Sequence, residues 1–313
     1  MIRRPELVGD IWFNTPRPLS PEEQTGRIVL IDFFTYSCVN CVRTLPFLRK
    51  IWARYRHLNF LMIGVHTPEF DFEKDPVNVA EALMNLQVNW PVLLDNEFRN
   101  WRNFANRYWP SKYLFDQNGY LVYESFGEGH YPELEKKIQE YLKKDFGDKS
   151  LPKVETYESP NFCFLPTPET YLGFLRGRIA NKGGFHEDHL GHYVFPGKLN
   201  SNEVALSGEF LSKSEYAETF DEGSTIYINF TGSEVNLVME KVNHDAIVEV
   251  MLNGKTIPES IAGRDLDQGD AVLWTPRMYN LLKSEKSESG ILSIRAKGGN
   301  FRAYAFTFSG CID

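Results

Sequence analysis

Ile28-Val-Leu-Ile-Asp-Phe-Phe-Thr-Tyr-Ser-Cys38-Val-Asn-Cys41 runs from an apolar, β-prone stretch straight into two cysteines separated by two residues. The stretch 28–34 is interrupted only by Asp32 and suits a strand covered on both faces of a sheet. After it, Val42, Leu45, Leu48, Ile51, Trp52 and Tyr55 recur at helical spacing, so 41–56 reads as an amphipathic helix. The cysteines therefore stand at a strand-to-helix junction, with Cys38 at the helix N-terminus. Unsatisfied N–H groups and the helix dipole favour an anion there, which makes a thiol at that position more acidic. The short spacer lets the second thiol reach the first. This arrangement implies thiol–disulfide exchange, in which Cys38 attacks and Cys41 resolves the mixed disulfide. It calls for no cofactor beyond the redox-active Cys38–Cys41 pair. Half of a zinc site uses the same spacing, but Cys163 and Cys311 are isolated and supply no second pair, so no metal is expected.

Outward from this junction, 60–65 reads as a second buried strand, 76–86 as a helix opened by Pro76, and 90–94 as a short strand. The segments 113–115 and 121–125 flank Asn118-Gly119, a hairpin signal, and 131–144 is a charged amphipathic helix. Strands and helices alternating in this way predict an α/β layered domain over 1–150. Prolines and glycines break up 145–168, where the linker is placed. From there to residue 313 short runs of alternating apolar and polar residues recur between turn residues, without long helices. They predict an all-β antiparallel sandwich over 151–313.

Composition sets limits. With 42% hydrophobic and 24% charged residues the chain is of the ordinary globular class, and its 313 residues favour two domains. A formal net charge of -8 argues against a general nucleic-acid binder or a ligand of anionic membranes. No apolar run reaches the length of a signal peptide core or a membrane span. As written the chain is expected to be cytoplasmic, or extracytoplasmic if an export signal or anchor precedes it in the natural protein. Four cysteines are too few for a disulfide-built scaffold; Cys163 and Cys311 could still pair across the second domain.

The segment from Val29 to Cys41, followed by Pro46, resembles the active-site region of thioredoxin-like proteins of the TlpA/ResA type. Gly64-Val-His-Thr-Pro-Glu-Phe, Asn106-Arg-Tyr-Trp-Pro and Phe126-Gly-Glu-Gly resemble the thioredoxin-like part of DipZ-type proteins more closely. Thr167-Pro-Glu-Thr-Tyr-Leu-Gly, Pro276-Arg-Met-Tyr and Ala303-Tyr-Ala-Phe-Thr-Phe resemble their C-terminal β-domain. The resemblance implies a thioredoxin-like domain followed by a jelly-roll sandwich of the carbohydrate-binding-module type. It implies a cis peptide before Pro110, whose preceding backbone receives an extended substrate. It also implies that Asp32 is the buried acid that exchanges a proton with Cys41, and it makes Glu69 a candidate active-site acid. Thr35, Tyr36 and Trp109 flank these groups as candidate substrate contacts. DipZ-type proteins carry a membrane electron-transfer portion that this chain lacks, so its electron donor is open.

The function expected is a thiol–disulfide oxidoreductase acting on disulfide-containing proteins. A binding module for a glycan or protein, with a peripheral redox pair, is the alternative, and a peroxidase ranks third. Val39 and Asn40 put no positive charge between the cysteines, and Arg43 is expected to be solvated, which favours a reductant. His186, His189 and His192 share a spacing that could ligate a metal, yet the Gly183-Gly184 lead-in reads as an exposed loop.

Overall fold

The computed structural model describes residues 2–146, 151–154, 164–242 and 244–310. The chain divides into two compact units, Met1–Ser159 and Pro160–Asp313.

In the first unit the order is β1 (Trp12–Phe13), α1 (Pro21–Gln24), β2 (Ile28–Phe34), α2 (Val39–Tyr55), β3 (Phe60–His66), α3 (Pro76–Asn85), β4 (Val92–Leu94), α4 (Arg99–Asn103), β5 (Ser111–Phe115), β6 (Leu121–Phe126) and α5 (Tyr131–Phe146). The six strands form one sheet in the order β1-β4-β3-β2-β5-β6. β2, β3 and β4 are parallel, while β1, β5 and β6 run antiparallel to their neighbours. Every residue of β2 and β3 is buried, which is why both read as unbroken apolar runs instead of alternating ones.

One face of β2 carries Val29, Ile31 and Phe33 into a core shared with Leu61, Ile63 and Tyr113. Period-two alternation then puts Leu30, Asp32 and Phe34 on the other face. α2 buries Cys41, Leu45, Leu48, Ile51 and Tyr55, spaced for a single stripe. Tyr55 donates to the buried Glu135 carboxylate at 2.7 Å and accepts from Gln139, which docks α5 against α2. The hairpin between β5 and β6 turns at Gly119, with φ at 78°, while the Asp116 carboxylate accepts from the N–H of Asn118 and Tyr120.

Sequence reading did not mark β1, α1 or α4, each of five residues or fewer. β1 exists because β4 offers it an edge, and α4 because Asp95 accepts from the N–H groups of Asn100 and Trp101. α1 is made locally, by the Ser20–Glu23 capping box and Pro21 in its first turn.

The second unit is built of antiparallel strands: β7 (Thr170–Tyr171), β8 (Leu190–Tyr193), β9 (Val204–Ser212), β10 (Ala217–Thr219), β11 (Thr225–Lys241), β12 (Ala246–Leu252), β13 (Lys255–Thr256), β14 (Asp270–Leu273), β15 (Arg277–Gly298) and β16 (Phe301–Ser309). β11 changes partners at the irregularity between Gly232 and Glu234. Its first part pairs with β9, its second with β16, and it follows β15 throughout. Leu206, Ile228, Leu237, Val250, Ile294 and Phe306 are among the residues of the core that these strands enclose. Among the described residues of the chain, no helix is long and apolar enough to cross a membrane.

Candidate active site

Cys38 is the N-cap of α2. Its backbone is extended (φ -76°, ψ 116°), and its sulfur accepts from the Cys41 N–H at 3.3 Å. A sulfur thus takes the place of the oxygen that usually caps a helix, which leaves it aimed at the positive end of the dipole. Cys38 is half-buried, whereas Cys41, one turn further in, is 1% exposed. Both are free thiols. Burial pushes the Cys41 thiol well above the usual range, and its hydrogen bond to Cys38 and the charge of Asp32 act in the same direction. Cys41 is therefore held as a thiol while Cys38 faces outward. Iodoacetamide at neutral pH is expected to label Cys38 at least about tenfold faster than Cys41 in the reduced protein, read by peptide mass spectrometry. Faster labelling of Cys41 would reverse their roles.

Asp32 lies beneath this pair, 1% exposed, directly opposite Lys112 in the β2–β5 register. Lys112 is equally buried, and its Nζ stands 3.4 Å from Asp32 Oδ1. The two are close enough to attract but not aligned as a hydrogen bond, and among the described residues neither charged group has another hydrogen-bond partner. Burial raises the Asp32 carboxyl above its ordinary value, with Lys112 opposing. Sequence reading overlooked Lys112. Its signal was a lone lysine inside the apolar strand that follows Pro110.

The Trp109–Pro110 peptide is cis. The Pro110 carbonyl is occupied by the Gly127 N–H at 2.8 Å, and the Trp109 indole donates to the Thr67 carbonyl at 3.1 Å. Tyr108 and Phe126, both substantially exposed, meet edge to face beside this proline. Arg43, expected to be solvated, instead pairs with Glu128 at 3.2 Å, because the loop after β6 folds against the first turn of α2. One turn beyond Cys41, the Thr44 hydroxyl donates to the Cys41 carbonyl at 2.8 Å.

Three residues read from the sequence as candidates are placed as follows. Thr35 is fully buried and Tyr36 is 4% exposed, so their side chains face the interior and not a substrate. Tyr36 stacks on His66 at 5.5 Å, and Thr35 donates to Glu73. Glu69 is only half-buried; the acid that its loop buries is Glu73, four residues on, which accepts from the Glu69 N–H at 2.6 Å. Nothing in the polar run Asp71-Phe-Glu-Lys74 singled Glu73 out. His66, closing an apolar strand, is fully buried and pushed down to about 3 by desolvation, so it stays neutral.

In the second unit the three histidines diverge. His192 Nδ1 lies 2.8 Å from Glu209, His189 Nδ1 is 2.7 Å from the Glu187 carbonyl, and His186 packs on Tyr193. Among the described residues no group of three or more His, Cys, Asp and Glu side chains is gathered to hold a metal. Cys163 and Cys311 lie outside the described residues.

Protein DipZ of Mycobacterium tuberculosis is 32% identical to this chain over 311 residues, 97% of the chain. Thiol-disulfide oxidoreductase YkuV of Bacillus subtilis is 29% identical over 143 residues, 44% of the chain and 93% of YkuV. The chain is thus similar to DipZ over nearly its whole length and, over a shorter stretch, to a thiol-disulfide oxidoreductase. Residues 167–309 match the family described as the thioredoxin like C-terminal domain. The chain spans 42% of the length of DipZ. A crystal structure of a thioredoxin-like superfamily protein, 26% identical, matches 45% of this chain and 97% of its own, with a TM-score of 0.43.

Proposed function

We propose that the chain reduces protein disulfides through Cys38 and Cys41. The observation that supports this reading best is the division of labour at the start of α2, with an accessible sulfur at the N-cap and a buried, protonated thiol behind it. In the reaction the Cys38 thiolate attacks one sulfur of the substrate disulfide, forms a mixed disulfide and expels the other sulfur as thiolate. Cys41 then gives its proton to the Asp32 carboxylate and attacks the Cys38 sulfur. That step closes the Cys38–Cys41 disulfide and releases the second substrate thiolate. The substrate gains two electrons and the protein loses them; an external dithiol resets the pair. Asp32 suits the role of acceptor because burial favours its protonated form. The backbone before Pro110 receives the extended substrate, with Trp109 held in place by Thr67.

No positive side chain lies between the cysteines, and Arg43 is engaged by Glu128. The pair should therefore be a reductant. Equilibration of the full chain in glutathione buffers, followed by alkylation and mass measurement, tests this. We expect a potential below about −180 mV, and one above it would replace the reductase by an oxidase or isomerase. For the second unit the same proposal reads a jelly-roll sandwich of carbohydrate-binding-module type, from its long strands that change partners midway. Its ligand would be a glycan or a protein, and its unit would fold apart from the first.

A further inference from the structure

Beside the cysteines the fold buries an acid that the exchange reaction does not use. Glu73, in the 3-10 turn Asp71–Lys74, is fully buried and receives five hydrogen bonds from two separate segments. One carboxylate oxygen accepts from Thr35 Oγ1 (2.5 Å), Ser37 Oγ (2.7 Å) and the Ser37 N–H (3.2 Å). The other accepts from the N–H groups of Glu69 (2.6 Å) and Phe70 (3.1 Å). None of these five partners is a cation. The charged neighbour acting on it is Glu69, of like sign.

The first three bonds end on the turn that leads directly into Cys38. The segment that carries Glu73 also reaches the opposite wall. The Thr67 N–H donates to the Phe34 carbonyl at 3.1 Å, while the Thr67 carbonyl accepts from the indole of Trp109, the residue before Pro110. His66, at the start of the segment, stacks on Tyr36 and sits 3.4 Å from Thr35 Oγ1. Residues 66–73 thus form a bracket in contact with both the cysteine turn and the proline loop.

We propose that Glu73 is a positioning residue: it fastens the turn ahead of Cys38 to this bracket and so sets the separation of the two walls between which a polypeptide disulfide must lie. The role rests on the reductase reading above. A carboxylate suits it because all five partners are donors, and only an acceptor-only group satisfies donors on both of its oxygens. A neutral glutamine has the same shape but turns an amide N–H toward one set of donors, leaving buried groups unmatched. Burial does raise the Glu73 carboxyl above its ordinary range, against the hydrogen bonds from Thr35 and Ser37. Plain scaffolding would be met by a neutral side chain without that desolvation.

The test uses the full chain with dithiothreitol, comparing insulin with a small aromatic disulfide. Glu73→Gln is expected to lower kcat/KM for insulin roughly tenfold or more and for the small disulfide less than about threefold, because only the polypeptide must span both walls. Ser37→Ala, which removes one of the five bonds and keeps the charge, should show the same asymmetry on a smaller scale. Equal losses on both disulfides, or none, would overturn the positioning role, and if Glu73→Gln does not fold, Ser37→Ala decides by the same criterion. Absence of insulin reduction by the unaltered chain would instead sink the reductase reading itself.

Discussion

Cys38→Ser should abolish insulin reduction, with kcat/KM falling by at least about 10³-fold, while the fold stays intact. A hydroxyl cannot take part in disulfide exchange, so no slower version of the same route remains. The folded state should hardly notice, because Cys38 is half-buried and its structural task is to cap α2. Serine is among the preferred N-cap residues and can accept from the Cys41 N–H in its place. Cys41→Ser differs in kind: the first attack survives, but the mixed disulfide cannot be resolved and accumulates. Mass spectrometry of the trapped species would name the natural partner. Turnover of Cys38→Ser above about one per cent of the unaltered chain would remove Cys38 from its role.

Lys112→Met should destabilise the chain by about 3–5 kcal/mol at pH 8, because it leaves Asp32 a buried charge without a counterion. The pH dependence follows from the direction of the shift. Burial raises the Asp32 carboxyl in the folded state, so in that window the native protein binds the proton that the unfolded chain releases. Stability from this group is fully present below about pH 4 and declines as pH climbs through the folded-state value. Removing the opposing cation deepens that decline. The cost of Lys112→Met should thus be near zero at pH 4 and largest at pH 8, measured by urea unfolding. A cost below about 1 kcal/mol, or one indifferent to pH, would mean that the pair is not held as an ion pair. Asp32→Leu with Lys112→Met should return to within about 1 kcal/mol of the starting stability. It should still reduce insulin slowly, since Cys41 would lack its proton acceptor. Stability and turnover separate in the double variant, which distinguishes Asp32 the relay from Asp32 the structural partner.

The organisation of the chain was largely legible in its residues, and the reason is local. The runs around Ile31 and Ile63 are continuous because both faces of β2 and β3 are covered, and the stripe from Leu45 to Tyr55 has helical period because one side of α2 is buried. The helix N-terminus that gives Cys38 its setting is likewise a matter of neighbours along the chain. Asn118-Gly119 announced the β5–β6 hairpin through its own backbone preferences. By contrast, the partners of these groups come from distant parts of the sequence. Lys112 meets Asp32 only through the β2–β5 register, and Arg43 finds Glu128 only because the loop after β6 returns to α2. Thr35 and Tyr36, next to the cysteines in sequence, turn inward toward Glu73 and His66. A carboxylate in a polar run and a histidine at a strand end look ordinary until the fold buries them. The sequence alone determined where the Cys38–Cys41 pair sits, since strand, helix and spacing are short-range properties. Tertiary structure decided which acids and which cation surround it, because burial and charge pairing depend on segments that meet only when the sheet has formed.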